Sequence, residues 1–357
     1  MRTRTAVVAS IACAVTLGIA GCANNAQGGS GSGQVVAGSS SSAGGEKVTI
    51  MVGGLDKQIY LPFMLAKQLG YYDKAGVNVS LIGEGAGVDA TTEMMAGKVQ
   101  GTGGFYDHTI ALRAQDQSAE SVVSMLQVPG EVELCRSDLK GTVSSPKDWK
   151  GRHLGITDVG SSTDFLTQYL GTQNGIDPSQ TTRIGVQAGN TFIAAMQHKQ
   201  IDCGMTTEPT VSKLLEDKSA YIIEDMRTAA GAKKSLGGTY PATSLYMQTS
   251  WVQSHKDVVQ KLVNAYVATL KWIQTHTAAQ IADMMPPDYY AGVGKAAYTA
   301  ALDSEKGIFN PTGIMPADGP KTCLAVLGAF NPKVKGKSID LGKTYTNEFV
   351  RAAQPLS

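Results

Sequence analysis

The chain has 357 residues, of which 42% are hydrophobic, so it is long enough to bury more than one core. Its 31 Lys and Arg residues nearly balance 30 Asp and Glu residues, and no basic block or stripe occurs, so we expect no nucleic-acid partner. The five histidines lack metal-ligand spacing, and the sequence contains neither a nucleophile elbow nor a phosphate loop. We therefore predict no metal, no cofactor and no enzyme.

The amino terminus has the pattern of a secretory signal. Arg2 and Arg4 precede an uncharged run at 5–21 that is too short to span a membrane. This run ends in a sequence that resembles a bacterial lipobox, Ile19-Ala20-Gly21-Cys22. The resemblance implies that residues 1–21 are removed and that Cys22 carries a lipid, which anchors the chain on the outer face of the cytoplasmic membrane. The alternative is an ordinary secretory signal in which Cys22 is incidental.

A tether is predicted to follow the lipidated cysteine. Residues 22–45 are almost entirely small or polar, and only Val35 and Val36 could be buried. The folded part then begins near Glu46, and its length favours two lobes. No later run has 18 apolar residues, so we expect no membrane-spanning helix there.

The folded part alternates strand and helix patterns. Apolar and β-branched runs predict strands, and apolar residues at helical spacing predict helices. The strands are predicted at 47–52, 77–82, 99–103, 121–128, 132–136, 153–157, 183–186, 203–206, 221–224 and 243–248. The helices are predicted at 60–74, 88–97, 106–114, 161–173, 191–198, 211–217, 256–276, 278–284, 288–302 and 320–330. This α/β rhythm predicts mostly parallel sheets, with ligands bound outside the carboxyl ends of the strands.

Three cysteines remain in the folded part, namely Cys135, Cys203 and Cys323. An exported chain permits disulfides, so we expect one pair and one buried thiol. We favour Cys135 with Cys203, because both are predicted to lie on strands of one lobe.

Several motifs follow one another between residues 47 and 270. They are IYLPFMLAKQLGYYDKAGV at 59–77, MAGKVQG at 95–101, SPKDWKGR at 145–152, GSST at 160–163 and QIDCGMTTEP at 200–209. Their order resembles the nitrate/sulfonate/taurine-type solute-binding proteins of ABC importers. The resemblance implies a type II periplasmic-binding fold, with lobe 1 at 46–129 and 242–357, lobe 2 at 130–241, and a ligand cleft at the hinge. It also implies a monomer that delivers a small molecule to permease and ATPase subunits.

The ligand implied by this family is a small organic anion, either a sulfonate or a carboxylate. A neutral heterocycle, such as a thiamine-pyrimidine precursor, is the alternative ligand. A ligand-sensing partner of a membrane signalling protein is an alternative role. Enzymes of similar fold that build the thiamine pyrimidine use a cysteine-rich motif. The cysteines here are isolated, which favours a binding protein.

Two predicted helix starts are candidate ligand sites, because the free N–H groups at helix amino termini attract anions. They carry Ser161, Ser162 and Thr163 in one case and Thr191 in the other; simple capping is the alternative. Gly85 and Gly87 allow either close backbone approach to a ligand or a tight turn.

The segment 105–108 is the other main candidate. Phe105 and Tyr106 could stack on a flat ligand, and His108 beside Asp107 could donate a hydrogen bond. The alternative is a pair of core aromatics with Asp107 as a helix cap. Four weaker ligand candidates complete the prediction: Lys57, Tyr60, Glu208 and Tyr240. Lys57 is equally explained as a solvated lysine, and Tyr240 as hinge packing.

Overall fold

Alternating strands and helices assemble into two five-stranded sheets. The computed structural model describes residues 46–356, so the predicted signal, the lipidation at Cys22 and the tether lie outside the described residues. The strands are β1 (Lys47–Val52), β2 (Asn78–Gly83), β3 (Gly101–Phe105), β4 (Ala119–Ser124), β5 (Glu131–Arg136), β6 (His153–Ile156), β7 (Thr182–Gly185), β8 (Cys203–Thr207), β9 (Ala220–Asp225) and β10 (Thr243–Gln248).

Helices cover the sheets. They are α1 (Leu61–Gln68), α2 (Tyr71–Ala75), α3 (Gly87–Met95), α4 (Asp107–Arg113), α5 (Ser162–Gln173), α6 (Asn190–Gln197), α7 (Thr210–Glu216), α8 (Ala229–Leu236), α9 (Thr249–Ser254), α10 (Lys256–Thr275), α11 (Ala278–Met284), α12 (Lys295–Glu305), α13 (Gly319–Phe330) and α14 (Glu348–Arg351). In the part of the chain that the structure describes, none of them combines the length and apolar character needed to cross a membrane.

Each sheet contains one strand that runs against the other four. The first sheet has the order β2-β1-β3-β10-β4, and β10 is antiparallel to both of its neighbours. The second sheet has the order β7-β6-β8-β5-β9, and there β5 is the antiparallel strand. The predicted α/β class with mostly parallel sheets is therefore confirmed.

The antiparallel strands bring the start of one strand beside the end of another. Glu131, at the beginning of β5, pairs with Thr207 at the end of β8. Thr243, at the beginning of β10, pairs with Phe105 at the end of β3. Residues that precede β5 and β10 therefore lie at the same sheet edges as the loops that follow the parallel strands.

Two predicted helices were drawn too long. The helix predicted at 60–74 is divided at Gly70, whose φ of 67° interrupts the helix between α1 and α2. The helix predicted at 288–302 begins only at Lys295, after Gly294 with φ 81°. Helical spacing of apolar residues continued through both positions, but the left-handed backbone at each glycine ends or delays the helix.

The long helix α10 shows why the core forms where it does. Its buried side chains recur at three- and four-residue intervals, which places them on one face of the helix. They are Val259, Leu262, Val263, Tyr266, Leu270 and Ile273, all fully buried. Edge-to-face contacts join Tyr266 to Phe63 of α1 and Tyr72 of α2, so this face fixes the first sheet's covering helices.

A disulfide bond joins the middle of the second sheet. Cys135 of β5 and Cys203 of β8 are register partners and are bonded to each other, while Cys323 is buried and free. This is the pair that the sequence analysis favoured. The bond closes a loop with a sequence separation of 68 residues.

Removing this disulfide is expected to destabilise the protein. Replacement of Cys135 and Cys203 together by serine should lower the free energy of unfolding by about 2–4 kcal/mol, because the unfolded chain gains the freedom of an open loop. Urea unfolding of both proteins, with and without reductant, measures the difference. Reductant should weaken the wild type and leave the variant unchanged; equal sensitivity of the two would contradict the assignment.

Candidate functional site

The carboxyl-terminal edges of the two sheets face each other. The loops after β1, β2 and β3 meet the loops after β6, β7 and β8, and we call this boundary the seam. Across it, the backbone N–H of Gln58 donates to the carbonyl of Glu208 at 3.1 Å. The Ser162 hydroxyl also donates to the Asp107 carboxylate at 2.7 Å. Both sheets therefore contribute residues to one continuous surface.

A small enclosed space lies within the seam. This inner cavity has a volume of about 20 Å³, enough for roughly one water molecule. Its lining comes from both sheets: Gly53, Lys57, Ile59, Tyr60, Gly87, Phe105, Glu131, Thr157, Ser161, Ser162 and Thr163. Seven of these eleven residues were predicted as ligand contacts, so the structure brings half of the fourteen sequence candidates together.

A larger cavity adjoins the inner one through Lys57, which lines both. This outer cavity has a volume of about 580 Å³, within the range of small-molecule sites. Its charged lining residues are Asp56, Lys57, Glu84 and Asp288. Three carboxylates thus face one ammonium group, and the outer cavity has an acidic lining. Gly85 lies here, and a side chain at that position would collide with Gln187 from the second sheet.

A third cavity, of about 530 Å³, contains His108. The His108 ring lies 3.4 Å from the Ser162 hydroxyl through Nε2, and its centroid is 5.6 Å from that of Phe165. Burial lowers the pKa of His108, and the nearby Asp107 charge opposes this effect. A side chain on Gly87 would press on His108 Nε2 at 3.3 Å, which gives Gly87 a packing role as well as its place in the inner cavity.

The hydroxyl residues before α5 form a closed network. The Ser161 hydroxyl donates to the Asp158 carbonyl at 2.6 Å, and the Thr157 hydroxyl donates to Ser161 at 2.7 Å. The Thr157 N–H donates to the Thr163 hydroxyl at 2.9 Å. These bonds fix the loop and hold the amino terminus of α5 at the inner cavity, where its first N–H groups lack intrahelical acceptors.

Lys57 and Glu131 are buried charged groups of the inner cavity. The Lys57 ammonium donates to the carbonyls of Gly53 at 2.8 Å and Gly85 at 3.4 Å. Burial lowers the pKa of Lys57, while the charges of Glu131 and Asp56 act in the opposite direction. Burial raises the pKa of Glu131 to about 7, against the effect of Lys57. The sequence analysis missed Glu131, because it searched the carboxyl ends of strands, whereas Glu131 begins an antiparallel one.

The raised pKa of Glu131 predicts a pH-dependent stability. The folded state holds a proton on Glu131 up to about pH 7, whereas the ordinary carboxyl pKa is 4.5. The free energy of unfolding should therefore fall as the pH rises through this window. Urea unfolding gives the free energy of unfolding of the wild type and of Glu131→Gln at each pH. We expect the difference between these two free energies, wild type minus variant, to decrease by roughly 2–3 kcal/mol between pH 4.5 and 7. Parallel curves for the two proteins would contradict this.

Asp107 is hydrogen-bonded both to α5 of the second sheet and to the segment that leads into β10 of the first sheet. Its carboxylate accepts hydrogen bonds from Ser162 and, at 2.6 Å, from the hydroxyl of Tyr240. Asp107 and Tyr240 are fully buried. Tyr240 was predicted as a ligand contact, but its hydroxyl is committed to Asp107, so the alternative of packing beside the hinge describes it better.

The predicted aromatic pair is divided between two surroundings. Phe105 lines the inner cavity, whereas the Tyr106 hydroxyl bonds Thr344 and its ring packs edge-on against Tyr345. Phe105 ends β3, whereas the backbone at Tyr106 has already turned into the helical region with φ −58° and ψ −31°, so the two side chains enter different surroundings. Of the two rings predicted to stack on a ligand, only Phe105 lines the inner cavity, and its contact with a ligand stays a prediction.

Two further candidates have structural partners instead of a cavity. Glu208 is fully buried; it accepts from Arg227 at 2.7 Å and from the backbone N–H of Ser212 at 2.9 Å. The Thr191 hydroxyl donates to the Ala188 carbonyl at 2.9 Å, as a helix-start residue does. Neither residue lines the inner or the outer cavity. Tyr60, by contrast, lines the inner cavity and is buried.

Within residues 46–356, no cluster of three or more His, Cys, Asp and Glu side chains is arranged to hold a metal ion. The site is thus a set of hydroxyl groups, the two aromatic rings of Tyr60 and Phe105, a helix amino terminus, a buried lysine and a buried glutamate. Two mixed α/β sheets whose carboxyl edges enclose such a site define the fold of the periplasmic ligand-binding proteins.

The chain belongs to the NMT1/THI5-like family, and residues 58–279 match the sequence model of that family. A solved structure from Bordetella bronchiseptica RB50 is 33% identical, with a TM-score of 0.82, and the match covers 86% of this chain and 96% of that one. The alkanesulfonate-binding protein of Xanthomonas axonopodis pv. citri has a TM-score of 0.66 at 16% identity, over 85% of this chain and 99% of that one. At that identity the likeness concerns the fold alone.

A curated relative carries the name of an enzyme. The 4-amino-5-hydroxymethyl-2-methylpyrimidine phosphate synthase of Schizosaccharomyces pombe is 28% identical over 163 residues, which is 45% of each chain. The chain spans about half the length of the curated relatives it matches.

Proposed function

We propose that this protein is a solute-binding lipoprotein of an ABC importer, held on the outer face of the cytoplasmic membrane by a lipid on Cys22. It binds a small molecule at the seam and delivers it unchanged to the permease. The observation that carries this proposal is the inner cavity, to which both sheets contribute polar groups. A ligand that touches both sheets stabilises their closed arrangement, which a permease can recognise.

Each of the two proposed lobes is built around one of the two sheets. Lobe 1 comprises residues 46–129 and 242–357, lobe 2 comprises residues 130–241, and the crossings before β5 and β10 form the hinge. Asp107 and Ser162 are hydrogen-bonded across the seam, so their contact supports the closed arrangement. A monomer suffices for this function.

Two ligand classes have support from particular residues. The amino terminus of α5 and the Lys57 ammonium favour the organic anion that the family resemblance implies. Glu131 and the ring of Phe105 favour a flat ligand with nitrogen donors, such as the neutral heterocycle. Because the outer cavity has three carboxylates and one lysine, the geometry favours the second class over a plain anion.

Lipidation and binding are tested separately on the full chain. Radioactive palmitate supplied to the cells that make the protein should label wild type and leave Cys22→Ser unlabelled. Thermal-shift screening of the full chain in detergent should then find a stabilising ligand among sulfonates, aromatic carboxylates and pyrimidines. Label on Cys22→Ser would contradict the anchor, and chemical turnover of a bound compound would contradict the binding role.

A further inference from the structure

We infer that Glu131 determines ligand specificity at the inner cavity, selecting a ligand that presents a protonated or hydrogen-bearing nitrogen and rejecting plain oxyanions. This inference rests on the proposed function, since it assigns a role within the same site. It concerns a residue that lies outside the family-like motifs at 59–77, 95–101, 145–152, 160–163 and 200–209.

The surroundings of Glu131 leave one oxygen available. The residue is only 4% exposed, and its Oε2 has no hydrogen-bond partner among the described residues. It lines the inner cavity together with Phe105, Tyr60 and the amino terminus of α5. A buried carboxylate oxygen without a donor is costly, so a ligand that supplies a donor gains that hydrogen bond at little desolvation cost to the protein.

Among the described residues, Lys57 is the one lysine that lines the inner cavity, and it does not make the cavity cationic. Two carbonyl oxygens, those of Gly53 and Gly85, already accept hydrogen bonds from the Lys57 ammonium. The positive charge of Lys57 is opposed by Glu131 in the same cavity and by Asp56 beside it. Above about pH 7, where Glu131 is ionised, an incoming sulfonate or carboxylate would therefore add an uncompensated negative charge to a buried site.

The outer cavity, which adjoins the inner one, also favours a cationic ligand over an anion. The outer cavity carries the carboxylates of Asp56, Glu84 and Asp288, which lower the local potential and attract cations. The inner cavity, of about 20 Å³, admits only the nitrogen group of a ligand, so the ring that carries it lies in the adjoining outer cavity of about 580 Å³. An amidinium or amino-substituted ring meets carboxylates in both cavities, whereas a carboxylate on the same ring is repelled in both.

A matched pair of probes isolates the contribution of Glu131. Benzamidine and benzoate share one ring and differ in the charged group, and calorimetry measures the binding of each to the full chain above pH 7, where the Glu131 carboxyl, with its pKa of about 7, is ionised. Wild type should bind benzamidine at least tenfold more tightly than benzoate. Glu131→Gln should gain at least tenfold in benzoate affinity, because the amide removes the repulsion and can donate a hydrogen bond to the carboxylate.

Two further variants complete the experiment. Glu133→Gln changes a second buried glutamate of β5 that does not line the inner cavity, so it should leave the ratio of the two affinities unchanged. Glu131→Asp keeps the charge and should keep the preference for benzamidine, even where Glu131→Gln folds poorly by circular dichroism.

Each outcome has one meaning. No gain in benzoate affinity in Glu131→Gln, including no benzoate binding by either protein, contradicts the role of Glu131, and loss of preference in Glu131→Asp does so too. If the wild type meanwhile binds any solute of the screening panel, the proposed function stands. If no solute of the panel binds to either protein, the proposed function fails as well.

Discussion

Replacing Asp107 by alanine is expected to lower the free energy of unfolding by about 3–6 kcal/mol, since hydrogen bonds to charged groups contribute roughly 1.5–3 kcal/mol each. Asp107 accepts two such bonds, from Ser162 across the seam and from Tyr240. All three side chains are buried, so alanine removes the carboxylate acceptor of two buried hydroxyl groups. Urea unfolding of the full chain measures the loss.

Single replacements separate the two contacts of Asp107. Ser162→Ala removes the hydrogen bond from α5 across the seam, and Tyr240→Phe removes the bond from the crossing that precedes β10. Each should cost about 1–3 kcal/mol, and the two losses should approach the loss in Asp107→Ala. A loss below about 1 kcal/mol in Asp107→Ala would show that these contacts do not hold the seam.

Replacing Arg227 by methionine is expected to destabilise the protein by about 3–5 kcal/mol, because one partner of a buried ion pair is left alone. Arg227 bonds Glu208 at 2.7 Å and Asp225 at 2.7 Å, and the Glu208 side chain is fully buried. Glu305, also buried, lies close enough for the Arg227 charge to act on its pKa, which burial raises. Without Arg227, these carboxylates repel one another with no cation between them.

A surface ion pair provides the control for Arg227. Lys98 and Glu93 are joined at 2.9 Å, but their side chains are 65% and 31% exposed. Lys98→Met should therefore change the free energy of unfolding by less than about 1 kcal/mol. Combining Arg227→Met with Glu208→Leu should recover much of the loss, because both buried charges are then gone. Equal effects of Arg227→Met and Lys98→Met would rule out the buried pair as a major contribution.

Much of the fold follows from the hydrophobic pattern. The β-branched and apolar run of residues 47–52 became β1, and the apolar spacing at 278–284 became α11 without change. The pattern failed at Gly70 and Gly294, since periodicity records which residues are apolar and not where the backbone turns left-handed. The short helices α8 and α9 bury only two residues and one residue, respectively, and they were not predicted.

The site was predictable wherever a residue follows a parallel strand. Lys57, Phe105 and Ser161 were candidates for this reason, and all three line the inner cavity. Glu131 was not, because its position depends on β5 running antiparallel to β8, a pairing between distant segments. Sequence spacing could not separate Phe105 from Tyr106 either, since the choice depends on contacts with Thr344 and Tyr345 near the carboxyl end.

Curated relatives of the chain are named as synthases, and some neighbours in fold are named as binding proteins. The inner cavity offers hydroxyl groups, a lysine and a glutamate, and the lysine is held by carbonyls. Such a set suits recognition by hydrogen bonds, which is why we propose binding without turnover. A binding protein releases its ligand unchanged, whereas a synthase releases a product, so the compound that is released distinguishes the two activities.

Native mass spectrometry of the full chain, isolated from membranes in detergent and supplied with the screening panel of sulfonates, aromatic carboxylates and pyrimidines, answers that question directly. If the seam is a binding site, one small molecule is held per chain, it is released unaltered on denaturation, and Lys57→Met holds much less of it than the surface variant Lys98→Met. A chain that retains nothing from the panel, a compound that emerges chemically converted, or equal retention by both lysine variants would contradict the account.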